Sequence, residues 1–174
     1  MTKFLATPTN VERSFGDDEI IVSKTDATGH ITYVNELFLK VSDYTESEVL
    51  GQPHSMIRHP QMPRTVFKLL WDSIRDGKEI FAYVKNMAKN GDHYWVIAHV
   101  TPTVGAGGRV AGFHSNRRKP TRDALGIIEP LYRKIQTEEE RHADRKEGLK
   151  AGHDLLTSIL TDKGLSYEQF VHAI

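Results

Sequence analysis

The sequence contains no cysteine among its 174 residues. This absence excludes disulfide bonds, thiolate metal sites, a cysteine nucleophile and any covalent thioether or thioester link to a chromophore. An excess of either charge is also missing, since 23 basic side chains balance 23 acidic ones. A neutral chain has no overall field to attract nucleic acid or an anionic membrane, so such a partner would need a local patch.

Long apolar runs are missing as well. No window approaches the roughly 18 apolar residues of a membrane-spanning helix, and residues 1–19 lack the apolar core of a signal peptide. We therefore expect a cytoplasmic protein without membrane insertion. The sequence also lacks a glycine-rich phosphate loop, a nucleophile elbow and an acid–base pair, so we do not expect an enzyme.

Three stretches of the chain differ in pattern. Residues 1–19 are polar and irregular and form a leader or cap. Residues 20–120 consist of short elements separated by turn signals, which indicates the main domain. Residues 121–174 have helical spacing and form a helical extension.

The main domain alternates between strand and helix patterns. Five β-rich runs and three short helices are predicted in the order β-β-α-α-α-β-β-β. The predicted strands are 19–24, 30–34, 80–89, 92–104 and 109–116, and the predicted helices are 35–42, 45–50 and 64–75. Helices inserted between the second and third strands exclude a parallel α/β sheet, so we expect an α+β fold with a five-stranded antiparallel sheet and helices on one face. Such a fold has a natural pocket between the helices and the sheet.

Several motifs in this stretch resemble the PAS sensor family across roughly residues 19–120. They are Asp26-x-x-Gly29-x-Ile31-x-Tyr33-x-Asn35, Leu50-Gly51, Asn90-Gly91-Asp92-x-Tyr94-Trp95 and Gly108-Arg109-Val110-x-Gly112-Phe113. Within that family the chain is most similar to the flavin-binding PAS domains of bacterial aerotaxis receptors. The strings that carry this resemblance are 51–63, which ends Arg58-His59-Pro60-Gln61-Met62-Pro63, and 84–96.

The resemblance implies non-covalent FAD between the sheet and the middle helices, with the flavin reporting oxygen or electron-transport status. The positions that match the family's binding residues are Arg58 and His59 for the dinucleotide, Trp71 near the flavin, and Asn35 and Asn86 at its polar edge. The same site would include His54, Gln61 and Trp95. Gln61 departs from the family, which often has Asp at this position. A neutral side chain removes the repulsion between a carboxylate and the pyrophosphate, and it also removes any ion pair that the carboxylate made.

Each candidate residue also has a structural interpretation. Arg58 suits a pyrophosphate because its planar fork makes bidentate bonds, but a solvated loop arginine is equally ordinary. His59 could stack on adenine or be fixed within its loop. Trp71 and Trp95 could be plain core aromatics.

Asn86 is placed by the predicted hairpin. If Asn90-Gly91 is a two-residue type I′ turn, strict pairing puts Asn86 opposite Trp95, with both on the inner face. An amide on an apolar face needs a partner. A flavin edge could supply one, and so could a neighbouring loop.

The nine histidines do not form a recognisable zinc motif. Haem is a rival ligand, although the helix predicted at 64–75 contains no histidine. The basic cluster Arg117-Arg118-Lys119 with Arg122 is interpreted as a solvated strand end, not a nucleic-acid contact.

The extension predicts a helix from Thr121, kinked at Pro130, then a charged solvated stretch over 137–147 and further helical segments. We expect a homodimer and a downstream signalling domain or protein. Dimerisation through residues 1–19 and the tail helix belongs to the ligand-free alternative. Two alternatives to flavin-based redox sensing remain open: a ligand-free PAS dimerisation module and a haem-binding gas sensor.

Overall fold

A computed structural model describes residues 6–174 of the chain. The strands are β1 (Ile21–Asp26), β2 (Ile31–Val34), β3 (Ile80–Met87), β4 (His93–Val104) and β5 (Val110–Arg118). The helices are α1 (Glu36–Ser42), α2 (Glu46–Val49), α3 (Arg64–Arg75), α4 (Arg122–Glu140), α5 (Arg145–Asp162) and α6 (Tyr167–Ala173), with short 3₁₀ turns at His54–Ile57 and Ala106–Gly108. The predicted order of strands and helices is confirmed.

The five strands form one antiparallel sheet in the order β2-β1-β5-β4-β3. Helices α1 and α3 pack on its inner face, where Phe38 lies under Arg117 and Trp71 meets the edge of Phe113. The predicted α+β fold is therefore confirmed.

Helices α4 and α6 of the tail pack on the opposite, outer face of the sheet, and α5 packs against α4 and α3. Tyr132 of α4 packs against Trp95, and His172 of α6 packs against Phe81. Thr121 caps α4 as predicted, since its hydroxyl accepts from the Ala124 N–H. Within residues 6–174, no helix combines the length and the apolarity needed to cross a membrane.

The turn between β3 and β4 differs from the prediction. Ala88 and Asp92 form the closing pair, with Ala88 N donating to Asp92 O at 2.7 Å. Gly91 has a positive φ of 97° whereas Asn90 does not, so the loop holds three residues and not two. The register therefore moves by one: Asn86 lies opposite Tyr94, and Trp95 lies opposite Lys85. The predicted pairing of Asn86 with Trp95 is wrong.

The leader is more ordered than a loop. Val11 and Arg13 exchange backbone hydrogen bonds with His93, at the end of β4 that β5 does not reach. Arg13 also bonds Asp92, and Phe15 is buried in the core. Residues 1–5 of the predicted leader lie outside the described part of the chain.

Candidate ligand-binding site

Four polar side chains on the inner face of the sheet carry a hydrogen-bonding atom that has no partner. These atoms are Asn86 Nδ2, Tyr94 Oη, Ser115 Oγ and Arg117 Nη1. Each residue is at most 7% exposed. A buried polar atom without a partner costs about 1–3 kcal/mol, and native proteins contain few of them. Their position on one face marks the interior as a candidate site for a polar molecule.

Arg117 is the charged group of this interior. Its Nη2 donates to Ser23 Oγ at 2.7 Å and lies 2.6 Å from His54 Nε2, and its guanidinium faces the Phe38 ring at 5.8 Å. Burial lowers the pKa of Arg117 to about 10, so it stays a cation at neutral pH. Among residues 6–174 the only buried acidic side chain is Glu139, which bonds Arg64 and Thr65 instead. The buried positive charge of Arg117 is therefore held without a carboxylate.

His54 accepts a hydrogen bond from Arg117, and this contact defines the tautomer and the charge of its ring. A guanidinium can only donate, so His54 Nε2 must be the acceptor and the ring proton must sit on Nδ1. Burial first, and the charge of Arg117 second, lower the pKa of His54 to about 3. His54 is consequently a neutral ring that orients Arg117.

The segment that contains Arg58 crosses the edge of β3 next to Asn86. The backbones of Arg58 and Asn86 form an isolated antiparallel bridge, which brings two predicted site residues together. The Arg58 guanidinium stacks 4.0 Å from the Phe67 ring centre and donates to Met62 O at 3.3 Å. Burial lowers its pKa. Arg58 is thus a partly desolvated cation at the margin of the interior.

His59 is fully buried beside this margin. Its Nδ1 accepts from the Gln61 N–H at 3.1 Å, while its Nε2 has no partner. The ring meets the edge of His93 at 5.9 Å, and burial with the nearby Lys85 lowers the pKa of His59 to about 4. Gln61 itself is exposed and accepts from Lys85 Nζ at 2.8 Å. His59 therefore lies in the interior, and Gln61 lies at the surface.

The two tryptophans lie on opposite faces of the sheet. Trp71 contacts Phe113 on the inner face and closes over Gly29, where a Cβ would lie 2.8 Å from the ring. Trp95 is on the outer face, against Tyr132 of α4. The shifted register therefore contradicts the prediction that Trp95 faces the pocket, because a shift of one residue turns every side chain to the other face.

Asn35 has a structural role that its sequence pattern does not predict. Its Oδ1 accepts from Val22 N and Phe38 N, and its Nδ2 donates to Ile20 O. Asn35 is thus the N-cap of α1 and a link to β1. These bonds use the side-chain oxygen twice and one amide hydrogen, so a single amide hydrogen of Asn35 is left for a ligand.

Arg117, Tyr94 and Ser115 were missed by sequence reasoning. The interpretation of Arg117 and Arg118 together as a solvated strand end is wrong for Arg117, which is 3% exposed. A usable signal was present: Phe113, Ser115 and Arg117 alternate along β5, and period-two spacing puts them on one face.

Sequence comparisons identify relatives of this architecture. The family described as the PAS fold matches residues 31–116. The aerotaxis receptor of Escherichia coli (strain K12) is 42% identical over 119 residues, which is 68% of this chain and 23% of the receptor. The nitrogen fixation regulatory protein of Klebsiella pneumoniae is 25% identical over 99 residues, 57% of this chain and 20% of that protein. The chain thus spans about a fifth of the length of these curated relatives.

Solved structures agree on the fold. The light-state structure of the blue-light photoreceptor Aureochrome1 LOV superposes with a TM-score of 0.58 at 18% identity, covering 63% of this chain and 88% of that one. An RNA-binding light-oxygen-voltage receptor gives 0.54 at 19% identity, covering 72% and 35%. From the strand order, the family match and these relatives, residues 31–116 of this chain form a domain that belongs to the PAS family.

Proposed function

We propose that this chain is a redox-sensing module that binds FAD non-covalently between the inner face of the sheet and helices α1 and α3. The observation that carries the proposal is the Arg117 guanidinium, buried without a carboxylate, together with the three other partnerless groups on the same face. A buried cation of this kind needs an acceptor-rich neighbour. The polar edge of a flavin ring offers carbonyl oxygens and ring nitrogens as acceptors and one N–H as a donor.

The residues present fit such a group. Arg117 and Asn86 supply donors, Tyr94 and Ser115 supply hydroxyls that can donate or accept, and Trp71 supplies an aromatic surface. Arg58 is positioned at the margin, where its planar fork suits a pyrophosphate. That feature and the 42% identity to the aerotaxis receptor support FAD over FMN. The chain has no cysteine, so a covalent cysteinyl–flavin bond is excluded.

A bound flavin supplies a redox centre whose ring nitrogens change charge and protonation when it is reduced. The chain's part is to hold Arg117 at that ring, because a fixed cation stabilises added negative charge. His54 keeps the Arg117 side chain oriented and is itself neutral above a pH of about 3. Asn86 and Tyr94 face each other on neighbouring strands, so a change in the hydrogen bonding of either side chain would act on the pairing of β3 with β4. The tail helices rest on the other face of those strands, which makes them the route to a downstream signalling partner.

The test is the visible spectrum of the purified protein, followed by heat release and chromatography of any cofactor. We expect a two-band flavin spectrum and release of FAD. A colourless protein that takes up no FAD on titration would overturn the proposal. Release of FMN would correct the cofactor, and a sharp Soret band would replace flavin with haem.

A further inference from the structure

Helix α3 begins without a cap of its own. Its N-cap residue is Pro63, whose side chain makes no capping bond. The first backbone N–H groups instead donate to the carboxylate of Glu139, from Arg64 at 3.0 Å and from Thr65 at 2.8 Å. A carboxylate at a helix N-terminus satisfies free donors and favours the helix dipole. A residue from the end of α4 therefore completes the start of α3.

Glu139 is buried and fully engaged. It also accepts from Arg64 Nε at 3.1 Å and Thr65 Oγ1 at 2.8 Å, and it is 2% exposed. Arg64 extends further and donates to Arg145 O, at the first residue of α5. The ends of three helices are thus joined by one ion pair. The sequence predicted a solvated stretch over 137–147, and for Glu139 that prediction is wrong.

Two glycines hold α5 against this contact. A Cβ at Gly148 would lie 2.3 Å from Glu139 O, and one at Gly152 would lie 2.6 Å from Thr65 Oγ1 and 2.7 Å from Glu139 Cγ. Any larger residue would push α5 away. We call the set Arg64, Thr65, Glu139, Gly148 and Gly152 the three-helix junction.

The junction lies next to the candidate site in the chain. Arg58, His59 and Met62 immediately precede α3, and Arg58 stacks on Phe67 within it. At the other end of α3, Trp71 contacts Phe113 on the inner face. A small displacement of α3 would therefore move the stacking partner of Arg58 and the aromatic surface of Trp71 together.

We propose that Glu139 is a positioning residue that couples occupancy of the interior site to docking of α4 and α5 on α3. The coupling rests on the proposed flavin site and extends it by adding a second route to the tail, through α3 instead of through β3 and β4. Because coupling between two sites is reciprocal, a ligand that tightens α3 must stabilise the junction, and loss of the junction must weaken the ligand by the same factor.

The test uses the full chain as Glu139→Ala and Glu139→Gln, with Glu138→Gln as the matched control. Glu138 is the neighbouring acid on α4, and it bonds Arg141 instead of α3. A second control, Leu160→Ala, lowers the overall stability of the chain at a buried position of α5 that is not part of the three-helix junction. Each variant is titrated with FAD, and hydrogen–deuterium exchange is followed with and without FAD.

We expect FAD to slow exchange across 145–162 in the wild type, and Glu139→Ala to lose this effect and bind FAD at least tenfold more weakly. Glu139→Gln should be intermediate, because an amide keeps the shape and one acceptor. Glu138→Gln and Leu160→Ala should keep wild-type affinity, which separates coupling from a general loss of stability. Equal FAD affinities in the wild type and both Glu139 variants would overturn the coupling alone.

Absence of FAD binding by the wild type would overturn the proposed cofactor instead. The link between the segments remains testable in that case, since Glu139→Ala must raise exchange in 58–63 as well as in 145–162. Faster exchange confined to 145–162 would overturn the coupling without reference to any ligand.

Discussion

Arg117 Nη2 and His54 Nε2 lie 2.6 Å apart in the interior of the domain. The contact joins a strand of the sheet to the turn that precedes α3, 63 residues away in sequence. Because a guanidinium never accepts, the pair fixes both the tautomer of the histidine and its neutral charge. A neutral partner leaves the full positive charge of Arg117 available to whatever occupies the interior.

Arg117→Met removes that charge while keeping a long apolar side chain. We expect FAD affinity to fall at least tenfold, and any flavin still bound to have a lower reduction potential, because the stabilising cation is gone. The free energy of unfolding of the flavin-free chain should stay unchanged or rise, since replacing a buried uncompensated charge by an apolar residue is commonly neutral or stabilising. FAD titration, redox titration and urea unfolding measure the three effects. A variant with wild-type FAD affinity and reduced stability would show that Arg117 is purely structural.

Acid should destabilise the chain before its carboxylates titrate. In the folded state the pKa of His54 is about 3 and that of His59 about 4, against an ordinary value of 6.5. Between pH 6.5 and 4 the unfolded chain binds protons that the folded chain does not, so the free energy of unfolding falls as pH falls. The slope is at most about 1.4 kcal/mol per pH unit for each histidine.

Urea unfolding of the flavin-free chain at pH 7, 6 and 5 measures this slope. His54→Gln should flatten it by up to half. A pH-independent midpoint across this window would contradict the assignment of neutral buried rings.

The two tryptophans offer a matched test of which face of the sheet binds the ligand. Trp71→Phe should weaken FAD severalfold, because it shortens the aromatic surface on the inner face. Trp95→Phe should reduce stability by about 1 kcal/mol through its contact with Tyr132 and leave FAD affinity unchanged. Titration with FAD measures the affinity of both variants. A larger loss of FAD affinity for Trp95→Phe than for Trp71→Phe would place the ligand on the outer face.

The fold is predicted well from the sequence because the signals that begin and end its helices and strands are local. The capping box at Thr45 and the period-two strands are set by neighbours in the chain, and the structure has them in place. The site was predicted less fully, because its charge depends on contacts between distant strands. A single extra residue in the turn at Asn90 moves Trp95 to the other face. The alternation along β5 puts Arg117 on the face of Phe113, but it does not reveal that a cationic side chain there is buried.

Tyr94 and Tyr132 provide a final prediction, in which the same substitution has opposite effects. The Tyr94 hydroxyl is buried without a partner, whereas the Tyr132 hydroxyl donates to Tyr83 O at 2.7 Å. Tyr94→Phe should therefore raise the free energy of unfolding of the flavin-free chain by about 1 kcal/mol, and Tyr132→Phe should lower it by a similar amount.

The FAD affinities of the two variants should show the opposite pattern to their stabilities. Tyr94→Phe should bind FAD about tenfold more weakly, because a hydrogen bond of about 1.4 kcal/mol is lost, and Tyr132→Phe should bind it as the wild type does. Urea unfolding and FAD titration of both variants give the four values. If Tyr94→Phe lost stability without FAD and kept its affinity, its hydroxyl would have a partner within the protein, and the inner face would be ordinary core.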